Sequence, residues 1–279
     1  MHASAQDGQH NLAQELANPI ASLISVPIQM NYDRNIGPVD DGTRFTANVQ
    51  PVIPFTLNEN WTLISRTILP VIDQNDIFPA TPAFDETTIE AGGLQLEADE
   101  ATLIPGAGSQ FGVGDVVQSL FLSPSPVPLA GGGSFIFGAG PVLLIPTGTD
   151  DLLTTDKWGA GPTAVGLVQK GPWTVGALAN HIWSYAGSSR RDDVNATFLQ
   201  PFISYTTPDA YTFTLQTEST YDWESNEWSV PINFVVSKLT RIGNQPVSFG
   251  VGVKYWAESA PGGPEGLGFR FTTTFLFPK

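Results

Sequence analysis

The sequence predicts an all-β protein, an antiparallel transmembrane β-barrel of about 12 strands with a short N-terminal helical or irregular segment. Three observations indicate this fold. Apolar and polar side chains alternate along segments of about ten or more residues, the connections alternate between short and long, and the Trp and Tyr residues fall at two heights. Segments of this length suit tilted membrane-spanning strands better than the shorter strands of soluble proteins.

The alternation has a period of two residues, which is the period of a strand. It is clearest over residues 22–33, 211–223 and 267–277, where every second side chain is apolar or aromatic along much of the segment. Further candidate strands span residues 43–55, 60–72, 111–122, 134–146, 157–168, 172–185, 194–206, 227–239 and 247–257. A sheet of this size is expected to close, because unpaired strand edges are very costly in lipid.

Composition excludes several classes of protein. The chain has 279 residues and a formal net charge of −15, which argues against binding to nucleic acid, whose phosphates require clustered Lys and Arg. It contains no Cys, so disulfides, thiolate metal sites and Cys nucleophiles are absent. No apolar run approaches the length that a membrane helix requires.

The connections differ in length and charge between the two ends of the predicted barrel. One set is mostly brief, and the other set is longer and holds 21 of the 27 acidic residues. Short periplasmic turns and longer outer loops are typical of outer-membrane barrels, because the two rims face different compartments. We therefore place both termini in the periplasm and the protein in the bacterial outer membrane.

Given these strand directions, the aromatic residues form two predicted membrane girdles, as amphipathic rings do at headgroup level. The girdle residues that we single out are Trp61, Trp158, Trp173, Trp228 and Tyr255. Trp61 and Trp173 fall near the inner rim, and the other three fall near the outer rim. The alternative is that aromatic residues simply flank strands, as they do in many β proteins.

The N-terminal segment is the only helical candidate. Leu12, Leu16 and Ile20 recur at a spacing of four over residues 11–21, before Pro19 disturbs the pattern. The predicted organisation is an N-terminal periplasmic segment or plug over residues 1–21 and a barrel over residues 22–279.

If the apolar faces point to lipid, the opposite faces line the interior. The candidate lumen-lining residues are Gln50, Arg66, Gln216, Glu218, Lys254 and Arg270. Charges of both signs in a lumen would set the field that a permeating solute experiences. The alternative is that these charges pair with each other and fill a closed barrel.

The acidic loops contain paired carboxylates, which suit hard divalent cations bound through oxygen. The pairs are Asp40-Asp41, Asp150-Asp151 and Asp192-Asp193. A solvated charged rim is the alternative, because no loop has the spacing of a dedicated calcium site.

Catalysis is not expected. His181 and Ser184 lie three residues apart in a predicted strand, so they point to opposite faces and cannot form a nucleophile and base pair. No resident metal and no cofactor are predicted.

Four segments resemble a proteobacterial outer-membrane transporter family linked to phenol meta-pathway degradation. They are residues 16–27 (LANPIASLISVP), 158–163 (WGAGPT), 180–183 (NHIW) and 255–259 (YWAES). The resemblance spans nearly the whole chain and implies an outer-membrane barrel that passes small molecules, aromatic ones among them. The acidic stretch of residues 84–104 stands as an insertion relative to the family pattern.

We therefore predict an outer-membrane channel for passive or facilitated uptake of small molecules, with outer-membrane lipid, lipopolysaccharide and the solute as partners. Divalent cations at the acidic outer loops are further candidate partners, and nucleic acid is not. A non-conducting structural or surface-binding barrel is the alternative function, and a secreted soluble β-sandwich is the alternative fold.

Overall fold

A computed structural model describes residues 2–77, 81–82, 103–104 and 108–278 of the chain; for residues 2–7, 81–82 and 103–104 it describes the backbone alone. The helix α1 spans His2–Leu16. The barrel strands are β1 (Ile24–Ile36), β2 (Gly42–Val49 and Val52–Thr56), β3 (Trp61–Asn75), β4 (Ser109–Val113 and Val116–Pro124), β5 (Ser134–Ile145), β6 (Lys157–Lys170), β7 (Trp173–Gly187), β8 (Asn195–Thr206), β9 (Tyr211–Thr217 and Ser219–Asp222), β10 (Glu227–Ile242), β11 (Gln245–Glu258) and β12 (Gly266–Phe277).

Two shorter pairings lie beside these strands. Thr81–Pro82 pairs with Leu103–Ile104, and Val127–Pro128 pairs with the start of β5. Most of residues 84–104, the predicted acidic insertion, lies outside the described residues. The helices of the described chain include none that is both long and apolar enough to span a membrane.

The twelve strands form one closed antiparallel sheet in which each strand pairs with its neighbours in sequence. The barrel closes between β1 and β12, where Met30 lies opposite Phe271 and Ile24 opposite Phe277. Closure leaves no free edge, so the strands satisfy their backbone hydrogen bonds within the wall. The predicted fold, including the even strand number, is confirmed.

Large apolar side chains cover the exterior of the barrel. Along β9, Phe213 and Leu215 are 39% and 48% exposed, whereas Thr212 beside them is 7% exposed and points inward. Other exposed apolar residues on the wall are Phe234, Val251, Val253, Phe269 and Phe271. An apolar exterior on a closed barrel faces hydrocarbon.

The interior is not uniformly polar, contrary to what strict alternation would give. Strands β3–β8 also point apolar side chains inward, where they form a buried cluster. Its members are Ile64, Phe121, Ile136, Val165, Leu167, Leu178 and Phe202, with Val52 from β2 and Ile20 from the N-terminal segment. One side of the interior is therefore packed, because several strands are apolar on both faces.

The N-terminal segment, predicted to be helical or irregular, is helical first and irregular after it. The helix ends at Leu16, and residues 17–21, the last part of the candidate over residues 11–21, are irregular. Pro19 explains the end, since proline lacks a backbone N–H and restricts the residue before it to extended conformations. Asn18 then accepts a hydrogen bond from the Ile20 amide at 3.0 Å, which turns the chain toward the barrel.

The internal prolines are accommodated in two ways. Pro231 lies at a register shift between β10 and β11, as expected of a proline near a bulge. Pro141 and Pro162 instead lie directly opposite each other in β5 and β6. Next to Pro162, a Cβ on Gly161 would overlap the carbonyl oxygen of His181, so this close approach requires glycine.

Candidate functional site: the barrel lumen

Charged and polar side chains meet inside the barrel from strands that are not neighbours. Arg270 on β12 donates two hydrogen bonds to the Glu218 carboxylate on β9, at 3.0 and 2.6 Å. Strands β10 and β11 lie between them in the wall, so this contact runs through the interior. The Arg270 Nε also donates to Asn31 Oδ1 on β1 at 2.8 Å. Bidentate guanidinium–carboxylate pairs of this kind are among the stronger hydrogen-bonded contacts.

A second ion pair also skips a strand. Lys254 Nζ on β11 donates to both carboxylate oxygens of Asp33 on β1, at 2.9 and 2.8 Å, and β12 lies between. The Trp256 indole N–H donates to the same Asp33 at 2.8 Å. Lys254 and Asp33 are 5% and 6% exposed, so each compensates the desolvation of the other.

Two further lumen arginines bond to amides instead of carboxylates. Arg66 on β3 donates to Gln50 Oε1 at 3.0 Å, and Arg44 on β2 donates to Gln74 Oε1 at 2.9 Å. Arg66 lines one cavity together with Gln216, which donates to Glu218 on the far wall. We call Asp33, Arg44, Arg66, Glu218, Lys254 and Arg270 the lumen charge set.

Glutamines extend this network along β8 and β9. Gln200 donates to Gln216 at 3.4 Å, and Gln216 donates to Glu218 at 3.0 Å. The six residues singled out from the sequence thus point inward; the sequence did not single out Asp33, Arg44 or Gln200. The alternation around Asp33 placed it on the inward face, which was the available signal for that residue.

The N-terminal segment lies against the inside of the barrel at the end that carries the short turns. Ala13 and Leu23 are buried with Leu239 and Leu276, and Ile20 packs into the apolar cluster of the opposite wall. Gln14 is hydrogen-bonded to the β6–β7 turn through Gly171.

Two interior cavities flank the N-terminal segment. One, of about 230 Å³, lies against β1, β2 and β8–β12 and extends up to Arg66 and Gln216. The other, of about 360 Å³, lies against β3–β6 and is lined by Ile64, Ile136 and Gln169. Residues 13–21 therefore divide this end of the lumen into two cavities.

At the other end of the lumen, the loop over residues 148–156 lies beside the inward-facing Arg44 and Gln74. Asp115, between the two segments of β4, accepts hydrogen bonds from the backbone of Gly148, from the Thr154 hydroxyl, and from the backbone and hydroxyl of Thr155, at 2.6–3.1 Å. Leu153 at the loop tip is 7% exposed. One carboxylate thus fixes the loop to the wall.

Next to this loop, Lys157 and Asp193 form an ion pair at 2.8 Å at the outer rim. Hydrogen bonds from Lys157 and Ser184, together with the charge of Lys157, hold the pKa of the Asp193 carboxyl below its ordinary value. No group of three or more His, Asp or Glu side chains suited to a metal ion occurs in the described part of the chain.

The predicted girdle residues lie on the exterior. Trp61, Trp158, Trp173 and Tyr255 are 40–53% exposed. Trp228 packs against Tyr221 with ring centroids 4.9 Å apart. Trp183, which is 50% exposed, is a further exterior aromatic that the sequence did not single out as a girdle residue.

His181 and Ser184 do not come together. His181 faces outward, where its Nδ1 is 2.7 Å from the Thr197 hydroxyl and its ring lies 4.0 Å from that of Trp183. Ser184 donates instead to Asp193 at 3.1 Å. The predicted absence of catalysis stays a prediction.

A closed twelve-stranded barrel with an apolar exterior and a charged interior defines the chain as a bacterial outer-membrane β-barrel protein. No protein-family model and no curated protein sequence matches the chain. Its fold is similar to that of an outer membrane channel from Pseudomonas putida F1, with a TM-score of 0.62 and 14% identity over 92% of this chain and 96% of that chain.

Two further structures align with lower scores. Outer membrane phospholipase A from Escherichia coli aligns with a TM-score of 0.47 and 12% identity over 98% of each chain. OprD from Pseudomonas aeruginosa aligns with a TM-score of 0.37 and 10% identity over 92% of this chain and 93% of that chain. At 14% identity, the likeness to the Pseudomonas putida structure shows the fold and does not show the function.

Proposed function

We propose that the barrel is a channel for passive or facilitated uptake of small molecules across the outer membrane. The observation that carries the proposal is the lumen charge set, because ionisable groups inside a membrane protein are costly and usually mark a solute or ion path. A barrel with a purely structural role could fill its interior with apolar side chains, as β3–β8 already do on one side.

Selection in this channel rests on pore width and on the polar lining. Arg270 with Glu218, and Lys254 with Asp33, hold charges at fixed positions inside the lumen. The apolar cluster on the opposite wall gives a solute a second, apolar surface. Small molecules with an apolar part, aromatic ones included, suit such a lumen. The link to phenol degradation that the resemblance implies stays a prediction.

The proposal places the N-terminal segment as a partial plug over residues 1–21. Its support is Ile20, which is 3% exposed and belongs to the buried apolar cluster formed mainly by β3–β8. The outer loops and aromatic residues would contact lipopolysaccharide and lipid headgroups, with divalent cations bridging acidic loop residues to lipid phosphates.

A non-conducting barrel is the second candidate, and the filled apolar side of the interior favours it. Liposome swelling with neutral solutes of graded size separates the two. A channel gives swelling rates that fall with solute size, and a non-conducting barrel gives rates equal to those of empty liposomes. Ile20→Ala should raise the rates by loosening the plug, whereas Ile53→Ala, the same change on the lipid-facing wall, should not.

A further inference from the structure

We propose that the cavity of about 230 Å³ beneath Arg66 binds small organic carboxylates, with the Arg66 guanidinium as the group that receives the carboxylate. As a statement of what the channel carries, this inference rests on the proposed function. The binding itself is a separate property, because it can be measured without transport.

The first step concerns charge. The lumen charge set has four basic side chains and two carboxylates, a surplus of two positive charges in a chain whose formal net charge is −15. The surplus is local to the middle of the lumen, because two further carboxylates lie toward its ends: Asp115 beneath the 148–156 loop and Glu15 on the wall of the other cavity. The middle of the lumen, with this balance, favours anions over cations.

The second step identifies which cation is available. Both carboxylates of the lumen charge set are already in ion pairs, Asp33 with Lys254 and Glu218 with Arg270. Across the described residues, no carboxylate lies within ion-pair distance of Arg66, whose hydrogen bond goes to the neutral Gln50 amide. A guanidinium has five N–H donors in a planar fork that matches a carboxylate, so Arg66 retains donors for an anion.

The third step concerns the cavity itself. Arg66, Gln50 and Gln216 form part of its polar lining, and Val52, Val235 and Leu16 form part of its apolar lining. A ligand that fits both surfaces has one anionic end and an apolar body. The volume is below the range of roughly 300–1,000 Å³ typical of drug-sized ligands, so the ligand is no larger than about one substituted ring.

The charge of the ligand is limited as well. Glu218 is hydrogen-bonded at 3.0 Å to Gln216, which lines the cavity with Arg66, so its negative charge opposes a second negative charge on the ligand. A monoanionic carboxylate is therefore the class that the cavity suits best.

Isothermal titration calorimetry on the detergent-purified protein tests the site, with benzoate as the probe and benzamide as the neutral probe of the same shape. We expect benzoate to bind at least about 10-fold more tightly than benzamide, as hydrogen bonds between charged groups imply. Arg66→Gln should weaken benzoate binding by about 10-fold or more, and Arg66→Lys, which keeps the charge and loses the planar fork, should weaken it less.

Arg44→Gln is the matched control. It removes the same charge from another glutamine-bonded lumen arginine that does not line this cavity. Benzoate affinity should stay within about threefold of the wild-type value, whereas Arg66→Gln exceeds that limit. Heat-modifiable migration on gels confirms that each variant is folded before it is titrated.

Four results would overturn the site: no benzoate binding to the wild type, equal affinity for benzamide, equal affinity of the Arg66→Gln variant, or an equal loss in the Arg44→Gln variant. These results are distinguishable from failure of the channel. If neutral solutes swell liposomes while benzoate does not bind, the site fails and the channel stands. If benzoate binds while no solute swells liposomes, the channel fails and the site stands.

Discussion

The Arg270 guanidinium is joined to the Glu218 carboxylate by two hydrogen bonds, although two complete strands separate them along the barrel wall. The pair therefore fastens β9 to β12 across the interior. It also fixes one positive and one negative charge in the lumen, with Arg270 3% exposed. This single contact links the stability of the barrel to the electrostatics of its proposed pathway.

Glu218→Gln should destabilise the barrel by about 3 kcal/mol, because it leaves the Arg270 charge buried without its counter-charge. Urea unfolding in lipid vesicles, followed by tryptophan fluorescence, measures the change in the free energy of unfolding. Glu59→Gln, the same substitution at an exposed side chain, is the control and should change stability by less than about 0.5 kcal/mol. Equal stability of the two variants would contradict the role given to the ion pair.

The chain contains no Cys, so a single introduced cysteine can be labelled selectively. Labelling at neighbouring positions should show which face of β9 is accessible to water. In lipid vesicles, Gln216→Cys in the lumen should react with a small anionic methanethiosulfonate reagent, and Leu215→Cys on the lipid side should not. Thiolates form in water and not in hydrocarbon. Mass spectrometry measures the labelled fraction, and both variants should label fully in urea. Faster labelling of Leu215→Cys than of Gln216→Cys would reverse the assignment of the two faces.

Asp115→Ala should enlarge and destabilise the outer opening. The variant loses four hydrogen bonds that hold residues 148–156 against the wall, so the loop should leave the lumen more often. Planar-bilayer recordings should show higher single-channel conductance with more current noise. Asp150→Ala removes one hydrogen bond within the loop and serves as the control. Unchanged conductance in the Asp115 variant would show that this loop does not narrow the path.

The outer ion pair of Lys157 and Asp193 should weaken in acid. The pKa of Asp193 is lower in the folded state, so its contribution to stability is present above the ordinary carboxyl pKa and is lost as the pH falls through the lowered value. The difference in Tm between the wild type and Asp193→Asn should therefore be constant near neutral pH and vanish at strongly acidic pH. A Tm difference that grows on acidification would have the wrong sign.

Much of the fold could be predicted from the sequence because the two faces of β1, β9 and β12 differ sharply in polarity. The period of two, the acidic long connections and the exterior aromatics follow from having lipid outside and water at both rims. The apolar side of the interior could not be predicted in this way. In β5–β7 the inward residues Ile136, Leu167 and Leu178 are as apolar as the outward ones, so alternation carries no signal there.

The sequence predicted which residues point into the lumen, but it did not predict which of them form ion pairs with each other. Inward positions such as Arg66 and Arg270 follow from alternation within one strand. Which carboxylate meets which cation depends on the relative register of strands up to three apart, as for Arg270 and Glu218. The entry of Ile20 into the lumen likewise depends on contacts that are distant in sequence.

The reversal potential across a planar bilayer under a salt gradient tests the central claim most directly. Arg66→Glu changes the summed charge of the lumen charge set from +2 to zero. Arg34→Glu is the control: it is the same substitution at an exposed residue outside this set. If the charged lumen is the path, the wild type is anion-selective, Arg66→Glu shifts the reversal potential toward cation selectivity, and Arg34→Glu shifts it far less. Identical reversal potentials for the wild type and Arg66→Glu would contradict the account.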